Sequence, residues 1–311
     1  MIWCAYCLFV DYLEARQRGN LELRKTAWAF SLFLYCTAVF GLDTLSVYTV
    51  NYPLKYFAER IGAEHVEVSF PAPADIDPAF WLPDAETIIQ YQQADLILLN
   101  GADYARWIDK VSLPRLRLVN TSRVFQEHYL TVANATTHSH GLEGEHSHVG
   151  TFFTTWLDFS QAAQQARVIA DALVRARPAH RASFEKNYAA LEKGLLTIDR
   201  RLQSKVEAMS ERRLFASHPI YQYLARRYGL DIKSVLWEPD ELPSEEQWAL
   251  LGRMLSSHPA ATMIWEGPPL QASIDRLRAL GVESIVFEPC ANACNGQDFL
   301  SVMRRNAETL N

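Results

Sequence analysis

The chain has 311 residues, 49% of them hydrophobic, enough for one large or two medium bodies with full cores. Its 30 Lys and Arg against 36 Asp and Glu give a formal charge of −6, with no long basic run. That argues against nucleic acid as the main partner and suits a cationic cargo.

In chain order, Arg24 and Lys25 precede an apolar run from Thr26 to Leu42. A basic stretch, an apolar stretch and small residues near a cut are the layout of a secretory signal, with cleavage expected after Ala38 or Gly41. Residues 1–23 read as an upstream extension. An uncleaved anchor, or a lipid on Cys36, is the alternative, although Tyr35 is bulky for a lipoprotein cut. No other segment is long enough to span a bilayer. The expected compartment is therefore extracytoplasmic, the periplasm.

Strand and helix then alternate. Strands are predicted at 45–51, 65–70, 94–99 and 116–119, and helices at 52–61, 84–93 and 102–111. Ala94 to Leu99 is mostly apolar, the pattern of a strand buried on both faces. Such alternation gives a parallel sheet covered by helices.

Next comes His138-Ser-His140-Gly-Leu-Glu-Gly-Glu-His146-Ser-His148, holding four of the chain's nine histidines in two His-x-His pairs. Residues i and i+2 of an extended segment point the same way, so each pair can aim two ring nitrogens at one point. Neutral imidazole suits zinc, copper, iron and nickel. The alternative is a solvated tract that touches metal only loosely.

From 179 to 209 there is no Pro and one Gly, and Phe184, Tyr188, Leu191, Leu195, Ile198, Leu202, Val206 and Met209 form one helical stripe. A helix of that length could run the full height of two stacked domains and stiffen the hinge between them. The second half repeats the first. Strands are predicted at 213–216, 232–236, 262–265 and 284–287, and helices at 221–228, 245–256, 270–280 and 298–310. The expected fold class is α/β, two parallel-sheet domains joined by one long spanning helix. The boundaries are 43–158 with the His-rich loop at 138–148, 159–211 for the helices including 179–209, and 212–311.

Candidate ligands follow. His218 lies between a strand and the next helix, a ligand-binding position in open α/β sheets. Glu266 and Glu288 each end a neighbouring strand and compete for one acidic role. Asp75 and Asp77 could donate oxygen, although Asp is common in loops. His128, His180 and His258 stand alone and read as surface residues, and His65 opens a strand. Cys290 and Cys294 read first as a disulfide, with a thiolate metal pair as the alternative.

Several strings, in this order and spacing, resemble the zinc/manganese solute-binding proteins of ABC transporters. They are Asp77-Pro78, Ala94-Asp95-Leu96 with Asn100-Gly101, Trp156-Leu157-Asp158, His218-Pro-Ile-Tyr-Gln-Tyr-Leu, Ile264-Trp265-Glu266 and Phe287-Glu288-Pro289. The resemblance covers residue 45 to the end. It implies a helical-backbone metal receptor, not an enzyme, working with an inner-membrane permease. It further implies that His218 and Glu288 are ligands, while two family histidines are replaced by Ala79 and Thr154. The expected cargo site is His138, His140, His146, His148, His218, Glu288 and Asp77. Zinc is the expected metal, with manganese, copper and nickel open, and the protein is expected to be a monomer. A free-standing metal buffer or chaperone and a chelatase-like metalloenzyme are the other readings. The chain has no Gly-x-Ser-x-Gly, His-Glu-x-x-His or phosphate-binding loop.

Overall fold

A computed structural model describes residues 44–131, 150–294 and 296–310, and the backbone of 137–139 and 145–147. The signal-peptide reading at 1–42 lies outside the described residues.

The chain from Leu45 onward is one unit built on two four-stranded parallel sheets. In the first, β1 (Leu45–Thr49) leads into α1 (Tyr52–Gly62), β2 (Val66–Ser69), α2 (Ala85–Gln93), β3 (Leu96–Leu99) and β4 (Leu118–Asn120). The strand order is β2-β1-β3-β4. Asn51 starts α1 by accepting from the Leu54 amide at 3.1 Å, and Pro53 sits in the first turn, where its missing N–H costs nothing. Ile97 and Leu98 are fully buried, one on each face, as the apolar run of β3 requires.

The predicted helix at 102–111 is not there. Ala102, Asp103 and Ala105 have φ of 51, 61 and 54°, and only a 3-10 turn follows at Arg106–Lys110. A left-handed backbone cannot propagate a right-handed helix.

The His-rich segment carries a two-stranded antiparallel ribbon, β5 (Thr137–Ser139) and β6 (Glu145–Ser147), whose backbone sets residue 138 opposite residue 146. The side chains of His138, His140, His146 and His148 lie outside the described residues.

Two packed helices follow. Asp158 starts α3 (Phe159–Ala176) by accepting from the Ser160 and Gln161 amides at 3.1 and 3.2 Å. Ala162, Ala166 and Ala170, one helical turn apart, give α3 a fully buried small-residue face. The next helix, α4 (Arg181–Ala208), has 28 residues and is about 42 Å long. The predicted stripe from Phe184 to Val206 is buried along its whole length. It packs on α1 and α3 at one end and on the last helix of the chain at the other. Gly194 leaves room for Leu300 of that last helix. A Cβ there would lie 2.8 Å from Leu300 Cδ1.

The second sheet is formed by β7 (Arg213–Ala216), β8 (Asp231–Ser234), β9 (Thr262–Trp265) and β10 (Glu283–Val286), in the order β10-β9-β7-β8. Its helices are α5 (Gln222–Tyr228), α6 (Glu245–Ser257), α7 (Gln271–Ala279) and α8 (Phe299–Thr309). Side chains alternate between its faces. Leu214, Ala216 and Ile264 join the large core shared with α4, whereas Phe215, Met263 and Trp265 pack with Trp237, Trp248 and Leu251 on the other side. His258 corrects a sequence expectation. It is 2% exposed, with its Nε2 3.0 Å from the Leu214 carbonyl, because the turn into β9 folds it under the sheet.

The two lobes are stitched together beside α4. Trp156 Nε1 donates to the Pro289 carbonyl at 2.8 Å, Tyr223 Oη to that of Phe152 at 3.0 Å, and Asn292 Nδ2 to those of Pro73 and Ile76 at 2.6 and 2.9 Å. A charged cluster adds to this. Arg227 holds Asp199 of α4 through Nε at 2.9 Å and Nη2 at 2.6 Å, Tyr228 donates to the same carboxylate at 2.9 Å, and Arg226 reaches Asp158 at 3.4 Å.

Candidate metal centre

Parallel strands all end at the same edge of a sheet, so the residues just past each end share one neighbourhood. In the second sheet these are His218 after β7, Glu238 after β8, Glu266 after β9 and Glu288 after β10. The backbone fixes the loops. Trp237 N donates to the Ser217 carbonyl at 3.0 Å, Ser217 N to that of Ile264 at 2.9 Å, and Phe287 N to that of Trp265 at 2.8 Å.

His218 is 4% exposed and bracketed by two carboxylates. Its Nδ1 lies 3.0 Å from Glu266 Oε1 and its Nε2 3.3 Å from Glu238 Oε1. Among the described residues this trio is the one group of three or more His, Cys, Asp and Glu whose ligand atoms converge, all within 4.8 Å of one another. Burial alone would push the imidazole down. Hydrogen bonds and charge from Glu238 and Glu266 outweigh that and hold it up at about 10.

Glu238 and Glu266 of the trio line a cavity of about 660 Å³ between the lobes, and His218 lies directly behind them. Asp75, Asp77, Glu238, Asp240, Glu266 and Glu288 line it, and its described wall carries no Lys or Arg. Such a wall attracts cations and repels anions.

The first lobe supplies the opposite wall. Asp77 accepts from the Ala79 amide at 2.9 Å, and Thr154 Oγ1 donates to the Ile220 carbonyl at 2.5 Å. Ala79 and Thr154 are 7% and 4% exposed. Both therefore serve packing and inter-lobe bonding at the two positions where the resemblance implies histidines. A buried amide network holds this wall. Asn100 Nδ2 donates to the Phe153 carbonyl at 2.9 Å, and Asn100 Oδ1 accepts from Asn51 Nδ2 at 3.2 Å.

The predicted site residues thus fall into three groups. His218 sits at the centre of the trio. Glu288 and Asp77 line the cavity, and Glu288 is paired to Arg305 at 2.5 Å. The four loop histidines lie outside the described residues. Glu266, which the sequence offered as a competitor to Glu288, is the one that meets His218. Glu238 was missed. The strand-end logic that singles out His218 would have found it, as the first acid after β8. Cys290 and Cys294 form a disulfide whose loop makes part of the cavity rim.

Residues 47–311 match the family described as zinc-uptake complex component A, periplasmic (ZnuA). The chain belongs to that family. It is similar to the zinc-binding lipoprotein AdcA of Streptococcus pneumoniae, with 24% identity over 278 residues, 86% of this chain and 55% of that protein. The chain thus spans about half the length of that relative. The high-affinity zinc uptake system protein ZnuA of Bacillus subtilis is 23% identical over 286 residues, 86% of this chain and 87% of the relative. Among solved structures, Zn(II)-bound AdcA of S. pneumoniae superposes with a TM-score of 0.73 at 22% identity, over 86% of this chain and 57% of that one. The metal-dependent lipoprotein YcdH of B. subtilis gives a TM-score of 0.73 at 20% identity, over 86% and 98%. These structures share the two-lobed fold with its long helix.

Proposed function

We propose that the chain is an extracytoplasmic receptor that captures a divalent transition metal, zinc, in the inter-lobe cleft and delivers it to the membrane permease of an ABC importer. The observation that carries this reading is His218 held between Glu238 and Glu266 beside a cavity whose charged lining residues are all acidic. Imidazole nitrogen with carboxylate oxygen is a zinc donor set. Family membership supports transport over free storage, and the Cys290–Cys294 disulfide suits an oxidising compartment. On this reading the protein is a binding partner rather than an enzyme, and no chemistry is done on the cargo.

The histidines of the 138–148 loop are proposed to join the coordination sphere, making up for Ala79 and Thr154. The test is metal content of protein purified from a zinc-replete source, followed by competition titration of His218→Ala. One tightly held zinc per chain, weakened at least a hundredfold in the variant, is expected. Unchanged affinity would refute the cleft as the site. Import is tested separately by zinc uptake into cells that express the permease with and without this chain.

A further inference from the structure

Two carboxylates address the two nitrogens of one imidazole, and they cannot play the same part. A neutral imidazole has one lone pair for a metal, and its other nitrogen keeps a proton that needs an acceptor. When a cation binds His218, one carboxylate therefore joins the metal and the other stays hydrogen-bonded to the ring.

The distances separate the two. Zn–N and Zn–O bonds of about 2.0–2.2 Å at a tetrahedral angle put neighbouring ligand atoms about 3.4 Å apart. His218 Nε2 and Glu238 Oε1 are 3.3 Å apart, the span a shared ion would bridge. His218 Nδ1 and Glu266 Oε1 are 3.0 Å apart, the usual length of an N–H···O bond.

Placement agrees. The ring borders a second, smaller cavity of about 90 Å³ together with Glu238 and Glu241. Both carboxylates line the large cleft, but of the two Glu238 alone also lines the smaller cavity that the ring borders, so it is the one that links the cleft to the ring. Glu238 lies in the irregular segment between β8 and α6, whereas Glu266 directly follows β9, next to the fully buried Trp265.

We infer that the cation sits between His218 Nε2 and Glu238, and that Glu266 is a positioning residue that fixes the Nδ1–H tautomer of His218. The inference rests on the cleft reading given above. It places a ligand on the segment after β8, and it places the acid after β9 one step removed from the metal. Such a positioning carboxylate sets the orientation and basicity of the ligating ring, and losing it typically weakens metal binding 10–100-fold.

The experiment compares Glu238→Gln, Glu266→Gln and His218→Ala in the full chain. Zinc affinity is measured by competition. X-ray absorption at the zinc edge then counts oxygen and nitrogen donors in each protein at saturating zinc, and circular dichroism of the metal-free forms checks folding. Glu266→Gln is expected to weaken binding 10–100-fold with the donor count unchanged, because the amide oxygen still accepts from Nδ1–H but brings no charge. Glu238→Gln is expected to change the zinc–oxygen shell itself. A changed shell in Glu266→Gln, or an unchanged one in Glu238→Gln, overturns the assignment while leaving the cleft reading intact. Undiminished affinity in His218→Ala overturns both.

Discussion

Asp199 tests how the long helix holds the second lobe. It is 7% exposed on α4, and its carboxylate accepts from Arg227 Nε, Arg227 Nη2 and the Tyr228 hydroxyl. In Asp199→Ala, the hydroxyl of Tyr228, a residue 3% exposed, loses its acceptor. A buried hydroxyl left unpaired costs about 1–3 kcal/mol. Breaking a fully buried ion pair would add about 3–5 kcal/mol. The Arg227 side chain, however, is 37% exposed and keeps Asp158 at 3.8 Å, so that loss is discounted to about 1 kcal/mol. The expected destabilisation is about 2–4 kcal/mol. At about 2–4 °C per kcal/mol for a body of this size, Tm should fall by roughly 4–16 °C. Asp199→Asn keeps one acceptor for Tyr228 and should lose about half as much. Scanning calorimetry of the metal-free protein reads both. Zinc affinity should move less than about threefold, because the variant touches neither His218 nor its carboxylates. A Tm fall under about 2 °C for the Ala variant, or equal falls for Ala and Asn, would refute the role given to this cluster.

If His218 is a zinc ligand as proposed, zinc must displace a proton from it, because its raised value of about 10 leaves it protonated at neutral pH. Calorimetry in buffers of different ionisation enthalpy should therefore show about one proton released from this ring at pH 7.5, and no release would contradict the bracketing by Glu238 and Glu266. The same shift has an opposite effect on the metal-free protein. Because the folded value lies above the unfolded value of about 6.5, the stabilisation from this group is complete below about pH 6.5 and is lost as pH rises through about 10. Denaturant titrations at pH 6 and pH 9.5 read that loss, and equal stability would exclude it. Deleting residues 138–148 should weaken zinc binding to a degree similar to His218→Ala if the loop supplies ligands; near-native affinity at one zinc per chain would show that it only scavenges. Leu195→Ala, in the fully buried stripe of α4, should cost about 2–5 kcal/mol by urea denaturation, and a cost under 1 kcal/mol would mean that the helix is not core.

Most of the fold was legible because its signals are local. The stripe from Phe184 to Val206 announced α4, and the apolar run of β3 announced a central strand. The failed helix at 102–111 shows the limit. Ala102 and Ala105 are strong helix formers, and nothing in an alanine side chain signals a left-handed backbone. The site was legible where a residue follows a clear strand, as His218, Glu266 and Glu288 do. Glu238 was overlooked although it is also the first acid after the predicted strand 232–236. Its nearness to His218 depends on β8 lying beside β7, a neighbour relation that no local pattern encodes. His258 was misread for a similar reason, since its acceptor on Leu214 is 44 residues away.

The edge of the second sheet has an evolutionary consequence. Each strand ends in a separate loop that presents one donor to the same space, and the strands beneath are held by their own alternating cores. A donor can then be exchanged by a single substitution in one loop without disturbing the β-ladder below it. On the proposed reading, metal preference and fold stability are thereby decoupled in this lobe. A chain with Ala79 and Thr154 on the opposite wall can then stay folded while selection assembles a coordination set from neighbouring loops.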